Sequence, residues 1–264
     1  MDCRDDRAET WELHWVSVRV LVSGSGGFIG SALTKRLTDA GHEVVRLRRP
    51  SSANHESSPA DGIATWDPVR GSIDAEALTG VEAAVHLAGE GIANRRWSPG
   101  VRDRIMRSRS EGTRLLSSAL ARLSPKPSVL ISASAVGYYG DRGDDVITEV
   151  EGPGQGFLVE VCQAWEKGTA PAERAGIRVA HMRSGIVLDR RGGFLAKQLP
   201  LFRLGLGARL GTGQQYVSWI SLQDEIGAFM HVLGETSLQG PVNVTSPYPV
   251  TNAELTRQLA GSLS

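Results

Sequence analysis

Val18-Arg19-Val20-Leu21-Val22 followed by Ser23-Gly24-Ser25-Gly26-Gly27-Phe28-Ile29-Gly30 decides the fold. An apolar run, a glycine-rich turn and an amphipathic run to Ala40 read as strand, turn and helix, with Gly41 where a helix cap belongs. That order leaves free backbone N–H groups at a helix N-terminus, where a pyrophosphate is held. The expected donors are the N–H groups of Phe28, Ile29 and Gly30. Gly24 allows the tight turn, Gly27 keeps a Cβ away from the phosphate, and Gly30 lets the helix pack close to the sheet.

Working outward, Glu43–Leu47 reads as a second strand ending at Arg48-Arg49-Pro50. An acidic residue at this place suits the ribose 2′-hydroxyl of NAD, whereas arginine suits the 2′-phosphate of NADP. Two adjacent guanidinium groups offer charge-assisted contacts to a dianion, so Arg48 and Arg49 point to NADP(H). Residues 51–61 are polar and rich in serine, a loop. Ile63–Trp66 is a third strand, and Asp67 after it is placed to reach the adenine amino group or to close a turn. Val81–Leu87 is a fourth, followed by Ala88-Gly89-Glu90, where small residues let a cofactor lie across the strand ends. His86, inside that apolar strand, reads as a core histidine with hydrogen-bond partners.

Ser98-Pro99 starts a helix running to about Leu123, with serine as its cap. Ser128–Ser132 is the fifth strand, leading into Ala133-Ser134-Ala135-Val136-Gly137-Tyr138-Tyr139-Gly140. Hydroxyls at the end of a central strand lie where substrate meets nicotinamide. A helix over 157–175, a sixth strand over 178–182, a further helix from Ser221 and a short strand at 242–244 follow. Thr251-Asn252-Ala253-Glu254 is a capping box opening a last helix. The alternation predicts a doubly wound parallel α/β sheet, the NAD(P)-binding Rossmann arrangement. The expected division is an N-terminal extension over 1–17, a dinucleotide-binding domain over 18–185 and an irregular substrate-side region over 186–264.

Composition narrows the function. The 264 residues carry zero formal charge, so no global field recruits nucleic acid or an anionic membrane. No apolar run is long enough to span a bilayer, and the first 16 residues lack a signal-peptide core. Two cysteines, Cys3 and Cys162, make no disulfide framework. The expectation is a cytoplasmic monomer or homodimer with a small-molecule substrate and no metal.

The segments GSGGFIGSALTKRLTDAGHEV, ATWDP, AVHLAGEGIANRRW, SRSEGT, LISASAVGYYG, VCQAWE, MRSGIVLDRRGG, PLFRLGLGARLGTGQQYVSWI and GPVNVTSPYPVTNAEL carry a resemblance. Over about residues 18–260 the chain resembles the extended and atypical short-chain dehydrogenase/reductases, and among them the YfcH-type epimerase family proteins. The resemblance implies that Gly24, Gly27 and Gly30 hold the pyrophosphate and that Arg48 and Arg49 take the adenosine phosphate. It places Leu87-Ala88-Gly89 along the ribose and Arg109 where related enzymes carry a site asparagine, so that a cofactor contact by Arg109 is expected. It also implies a C-terminal continuation of some 30 to 40 residues that this chain lacks.

Such enzymes use a tyrosine whose pKa a lysine one helical turn later lowers. Here Tyr138, Tyr139, Tyr216 and Tyr248 are followed four residues on by Arg142, Gly143, Ile220 and Asn252. The corresponding places hold Phe157 and Val161. Ser221 stands where a histidine is usual and Gln223 where an acid is usual. Three functions are carried forward. The first is an NADP(H)-dependent oxidoreductase in which Ser134 hydrogen-bonds the substrate oxygen and Tyr138 is the remaining acid. That choice assumes Ser132, Ser134, Val136 and Tyr138 share strand parity. The second is a non-catalytic NADP(H)-binding protein, and the third a nucleotide-sugar epimerase or dehydratase.

Overall fold

A computed structural model describes residues 17–50, 62–92 and 96–263. The expected extension up to residue 16 and the expected loop over 51–61 lie outside the described residues. The chain begins with β1 (Arg19–Ser23), α1 (Phe28–Asp39), β2 (Glu43–Arg48), β3 (Ile63–Asp67), β4 (Ser72–Ile73) and β5 (Ala83–His86). It continues through α2 (Pro99–Ala121), β6 (Val129–Ala135), α3 (Phe157–Lys167), α4 (Ala170–Arg174), β7 (Arg178–Ser184), β8 (Ile186–Asp189) and α5 (Gly193–Arg203). Last come β9 (Tyr216–Val217), β10 (Trp219–Ser221), α6 (Leu222–Gly234), β11 (Gly240–Val244), β12 (Val250–Thr251) and α7 (Asn252–Gly261).

Eight strands form one sheet in the order β11-β7-β6-β5-β1-β2-β3-β4. All neighbours are parallel except the short edge strand β4, which returns antiparallel on β3 and which the sequence reading missed. Val20 is in register with Val44 on one side and Ala83 on the other. A strand paired on both edges and covered on both faces shows a continuous apolar run instead of alternation. The strand order reverses between β1 and β5, and there the crevice for a dinucleotide opens.

Helices α1 and α6 cover one face, where Phe229 of α6 packs with Val20, Val22, Val85, Ile131 and Met182 of the sheet. On the other face α2 and α4 enclose Leu21, Leu47, Trp66, Leu116, Leu130 and Ala172. Each fully buried leucine or phenylalanine is worth roughly 1.5–3 kcal/mol of transfer free energy. Both α6 and β11 lie beyond residue 185 yet belong to the main sheet and its core. Among the described residues, the two-stranded pairs β8–β10 and β9–β12 stand outside the main sheet, although Ile220 of β10 and Val187 of β8 still pack into its core.

Local chemistry explains the departures from expectation. The helix expected over 157–175 is two helices, because Pro171 has no N–H to give to the carbonyl four residues back. Ser98 starts α2 in extended geometry, but its hydroxyl makes no capping bond; Pro99 supplies the start. The expected capping box is present: Thr251 Oγ1 accepts from Glu254 N at 3.2 Å, and Thr251 N donates to Glu254 Oε2 at 2.7 Å. Among the described residues no helix is long and apolar enough to cross a membrane.

Candidate cofactor and active site

The turn between β1 and α1 is built on glycine for reasons visible atom by atom. Gly24 has φ +71°, and a Cβ there would stand 2.8 Å from the Leu87 carbonyl carbon. The phosphate turn therefore touches the end of β5. Gly27, in ordinary extended geometry (φ −78°, ψ 176°), donates its N–H to Gly24 O at 2.9 Å. At Gly30 a Cβ would be driven into the Gly24 carbonyl. Gly30 thus serves the turn itself, not the helix–sheet spacing expected of it.

Gly27 caps α1 with no side chain to offer. The first intrahelical bond is Ser31 N to Gly27 O, so the N–H groups of Phe28, Ile29 and Gly30 keep no helical acceptor. Three aligned donors at a positive helix end fit a pyrophosphate. The Phe28 ring itself packs under Gly192 and Gly193, where β8 turns into α5.

Across the crevice, Leu87, Ala88 and Gly89 form a ledge at the end of β5. Leu87 N and Ala88 N reach Ser23 Oγ at 3.2 and 3.4 Å, which ties the ledge to β1. His86 lies beneath, its Nδ1 2.6 Å from Ser23 Oγ and its Nε2 2.9 Å from Thr113 Oγ1. Burial, with a smaller contribution from Arg109, pushes its pKa down to about 4. It is a neutral, satisfied core histidine, as the sequence suggests.

Arg109 extends from α2 onto this ledge. A Cβ at Gly89 would stand 3.2 Å from its Cζ, and that Cζ lies 4.8 Å from the centroid of the Trp165 ring. Nη1 donates to Glu90 O at 2.9 Å and more weakly to Ile105 O at 3.4 Å. Burial draws its pKa below the ordinary value, opposed by Cys162 and Glu90.

Arg48 and Arg49 are exposed beyond the β2 end and have no ion-pair or hydrogen-bond partner among the described residues. Asp67 ends the neighbouring strand β3. Its Oδ1 accepts from Val69 N and Arg70 N at 2.9 and 3.1 Å, so it closes the local turn. Of its two expected uses, the turn occupies that oxygen.

Ser134 and Tyr138 meet at one residue that the sequence reading did not single out, Arg183 on β7. Parallel pairing puts Ser134 in register with Arg183, and Arg183 with Asn243 on β11. Arg183 is 4 % exposed and makes a two-pronged pair with Glu166 of α3, both contacts 2.9 Å. Its Nη1 donates to Tyr139 Oη at 2.8 Å, and Tyr139 donates on to Asn243 Oδ1 at 2.7 Å. Burial works against the charge, but the bonds to Glu166 and Tyr139 outweigh it and hold the guanidinium above its ordinary pKa.

Ser134, expected to hydrogen-bond a substrate oxygen, is 5 % exposed and gives its proton to Glu166 Oε1 at 2.7 Å. Toward any ligand it has lone pairs only. β6 ends at Ala135, and Val136–Tyr139 is a 3-10 turn, so the assumed strand parity stops before Tyr138. The turn lays the Tyr138 ring on the Arg183 guanidinium, 3.6 Å from Cζ to centroid. Its phenol oxygen has no partner among the described residues, unlike that of Tyr139. Phe157 and Val161, at the places of the usual tyrosine and lysine, carry no ionisable group. Phe157 packs on Trp97 and under Arg102, and Val161 joins Val101 and Ile105 in a small core. Beside the 3-10 turn a cleft of about 780 Å³ is lined by Tyr139, Asn243, Gln215, Ser218 and Thr245.

The family model described as NAD dependent epimerase/dehydratase matches residues 20–159. The chain belongs to that family. It is 47 % identical over 237 residues to an epimerase family protein of Mycobacterium bovis, covering 90 % of this chain and 76 % of the relative. The structure of the human epimerase family protein SDR39U1, determined with NADPH, superposes with a TM-score of 0.81 at 34 % identity, over 93 % of this chain and 80 % of the human one. A nucleoside-diphosphate sugar epimerase from Corynebacterium glutamicum gives 0.79 at 37 %, covering 94 % of this chain but 51 % of the larger protein.

One further carboxyl of this epimerase-family protein escaped the sequence reading. Glu225, in the first turn of α6, is fully buried; Ser184 Oγ donates to its Oε1 at 2.6 Å, and its Oε2 has no partner. Burial, partly opposed by that bond, pushes its pKa from 4.5 up to about 7. A raised folded-state pKa gives stability that is complete below the unfolded value and lost as pH rises through the folded one. At 1.36 kcal/mol per pH unit the loss is about 3 kcal/mol. Glu225→Gln is therefore expected to match the parent in urea unfolding at pH 4.5 and to exceed it by about 2–3 kcal/mol at pH 8. A constant difference across that range would mean Glu225 does not titrate there.

Proposed function

We propose that this epimerase-family protein is an NADP(H)-dependent oxidoreductase acting on a small carbonyl or alcohol compound. The observation that carries the reading is the uncapped N–H triad of Phe28, Ile29 and Gly30 facing the Leu87–Gly89 ledge, with Arg48 and Arg49 at the next strand end. The human relative crystallised with NADPH supports the same cofactor. When bound, NADP(H) supplies or accepts the hydride. The chain's part is to hold the dinucleotide, orient the substrate and move a proton. Tyr138 is the residue for the proton, because its phenol is unpartnered while Ser134 and Tyr139 have committed theirs. Ser134, fixed by Glu166, accepts a hydrogen bond from a substrate hydroxyl; it no longer serves as the donor to an oxyanion that the sequence suggested.

A screen of carbonyl compounds with NADPH tests this. With a substrate in hand, Tyr138→Phe is expected to lower kcat by at least about 100-fold, the usual scale for loss of a general acid, while NADPH affinity stays within about twofold. Equal turnover by Tyr138→Phe removes the tyrosine from the chemistry. The commitment of Ser134 to Glu166 and the apolar pair Phe157 and Val161 favour one second reading, an NADP(H)-binding protein without chemistry. Tight NADPH binding with no turnover of any carbonyl would move that reading ahead.

A further inference from the structure

The guanidinium of Arg109 is held between its neighbours and open along one edge. Its Cζ lies 4.8 Å from the Trp165 ring centroid, and Gly89 is so near that a Cβ there would approach to 3.2 Å. Both short-range contacts to carbonyl oxygens use Nη1, on Glu90 and Ile105. Nε and Nη2, on the remaining edge, have three N–H donors and no partner among the described residues. An arginine serving only to staple α2 to α3 would bring those donors to carbonyls or carboxylates, since unmet donors in a half-buried place are costly. Here Trp165, Gly89 and the two bonds from Nη1 hold the group in place and leave its other donors unspent at the carboxyl end of β5.

The ligand group is identified by what the neighbours take. The N–H groups at the start of α1 suit the pyrophosphate, and Arg48 and Arg49, at the end of the adjacent strand β2, suit the adenosine 2′-phosphate. Arg109 lies on the other side of the β1 turn, toward β6, and Gly89 beneath it has no side chain to intervene. We propose that Arg109 holds the hydroxyls of the nicotinamide-side ribose, with Nε and Nη2 donating to the vicinal diol as a fork. It is a positioning residue: the proton and hydride do not pass through it. The inference rests on the dinucleotide reading above and assigns one residue a ligand group within it.

The test uses three probes on the full chain: NADPH, NADH and 2′,5′-ADP, which carries the 2′-phosphate but no nicotinamide ribose. Arg109→Met is expected to weaken NADPH and NADH alike by at least about tenfold, the value of one or two charge-assisted bonds. It should leave 2′,5′-ADP within about twofold, and Arg109→Lys should recover part of the loss. Unchanged NADPH affinity in Arg109→Met overturns the inference, as does an equal loss for 2′,5′-ADP, which would mean general damage to the site. If Arg109→Met does not fold, Arg109→Lys decides by the same contrast between NADPH and 2′,5′-ADP. Failure of the parent protein to bind any of the three would instead sink the cofactor reading, and this inference with it.

Discussion

Arg183→Met is expected to destabilise the protein by about 3–5 kcal/mol, the usual cost of stripping one partner from a buried ion pair. The reason is Glu166. Its carboxylate is 12 % exposed at the side chain and takes both prongs of Arg183; without them it is left buried beside Ser134 alone. Tyr139 Oη loses its donor at the same time, though it keeps Asn243. The double variant Arg183→Met with Glu166→Leu should recover most of the loss, because exchanging a whole buried pair for apolar groups of similar volume is often neutral. Urea unfolding of the two single variants and the double variant makes the measurement. A loss under about 1 kcal/mol in Arg183→Met would show that the pair contributes no more than an exposed one. The same variants bear on chemistry, since Arg183 stacks on the Tyr138 ring and Glu166 accepts the Ser134 hydrogen bond.

The second large effect concerns the cofactor. Arg48→Ala with Arg49→Ala should weaken NADPH binding by at least about 100-fold, because two charge-assisted contacts to the 2′-phosphate are worth roughly 1.5–3 kcal/mol each. NADH, which lacks that phosphate, should change little. The prediction rests on both guanidinium groups being exposed at the β2 end with no carboxylate partner among the described residues, so neither must break a described contact to reach a ligand. Calorimetry on the parent protein and the double variant with both nucleotides separates the outcomes. Equal affinity of the parent for NADPH and NADH would leave the arginines as solvated surface. The contact should also weaken as salt is raised, in keeping with its exposure.

Much of this protein is written in short-range pattern. The β1 run, the glycine turn, the α1 amphipathic stretch and the Arg48-Arg49 terminus all lie within about 30 residues, and each is dictated by local backbone chemistry. The strand–helix alternation then leaves few topologies, because parallel crossovers are right-handed and must be covered on both faces. The capping box at Thr251 and the neutral His86 were legible for the same reason. Small misreadings were also local: Pro171 divides a helix that periodicity alone would continue, and β4 is too short for a pattern.

Only the tertiary structure decided the chemistry-bearing interior. Ser134, Glu166, Arg183 and Asn243 come from four separate elements, and no spacing in the chain relates them. They meet because β6, β7 and β11 are adjacent and in register, and because α3 lies over that part of the sheet. Whether Ser134 donates or accepts depends on Glu166, 32 residues away. Likewise Glu225 looks like an ordinary first-turn acid until packing buries it against Ser184. A side chain's covalent identity is local. Its hydrogen-bond partners, its desolvation and hence its protonation are properties of the assembled core, and those set what the site can do.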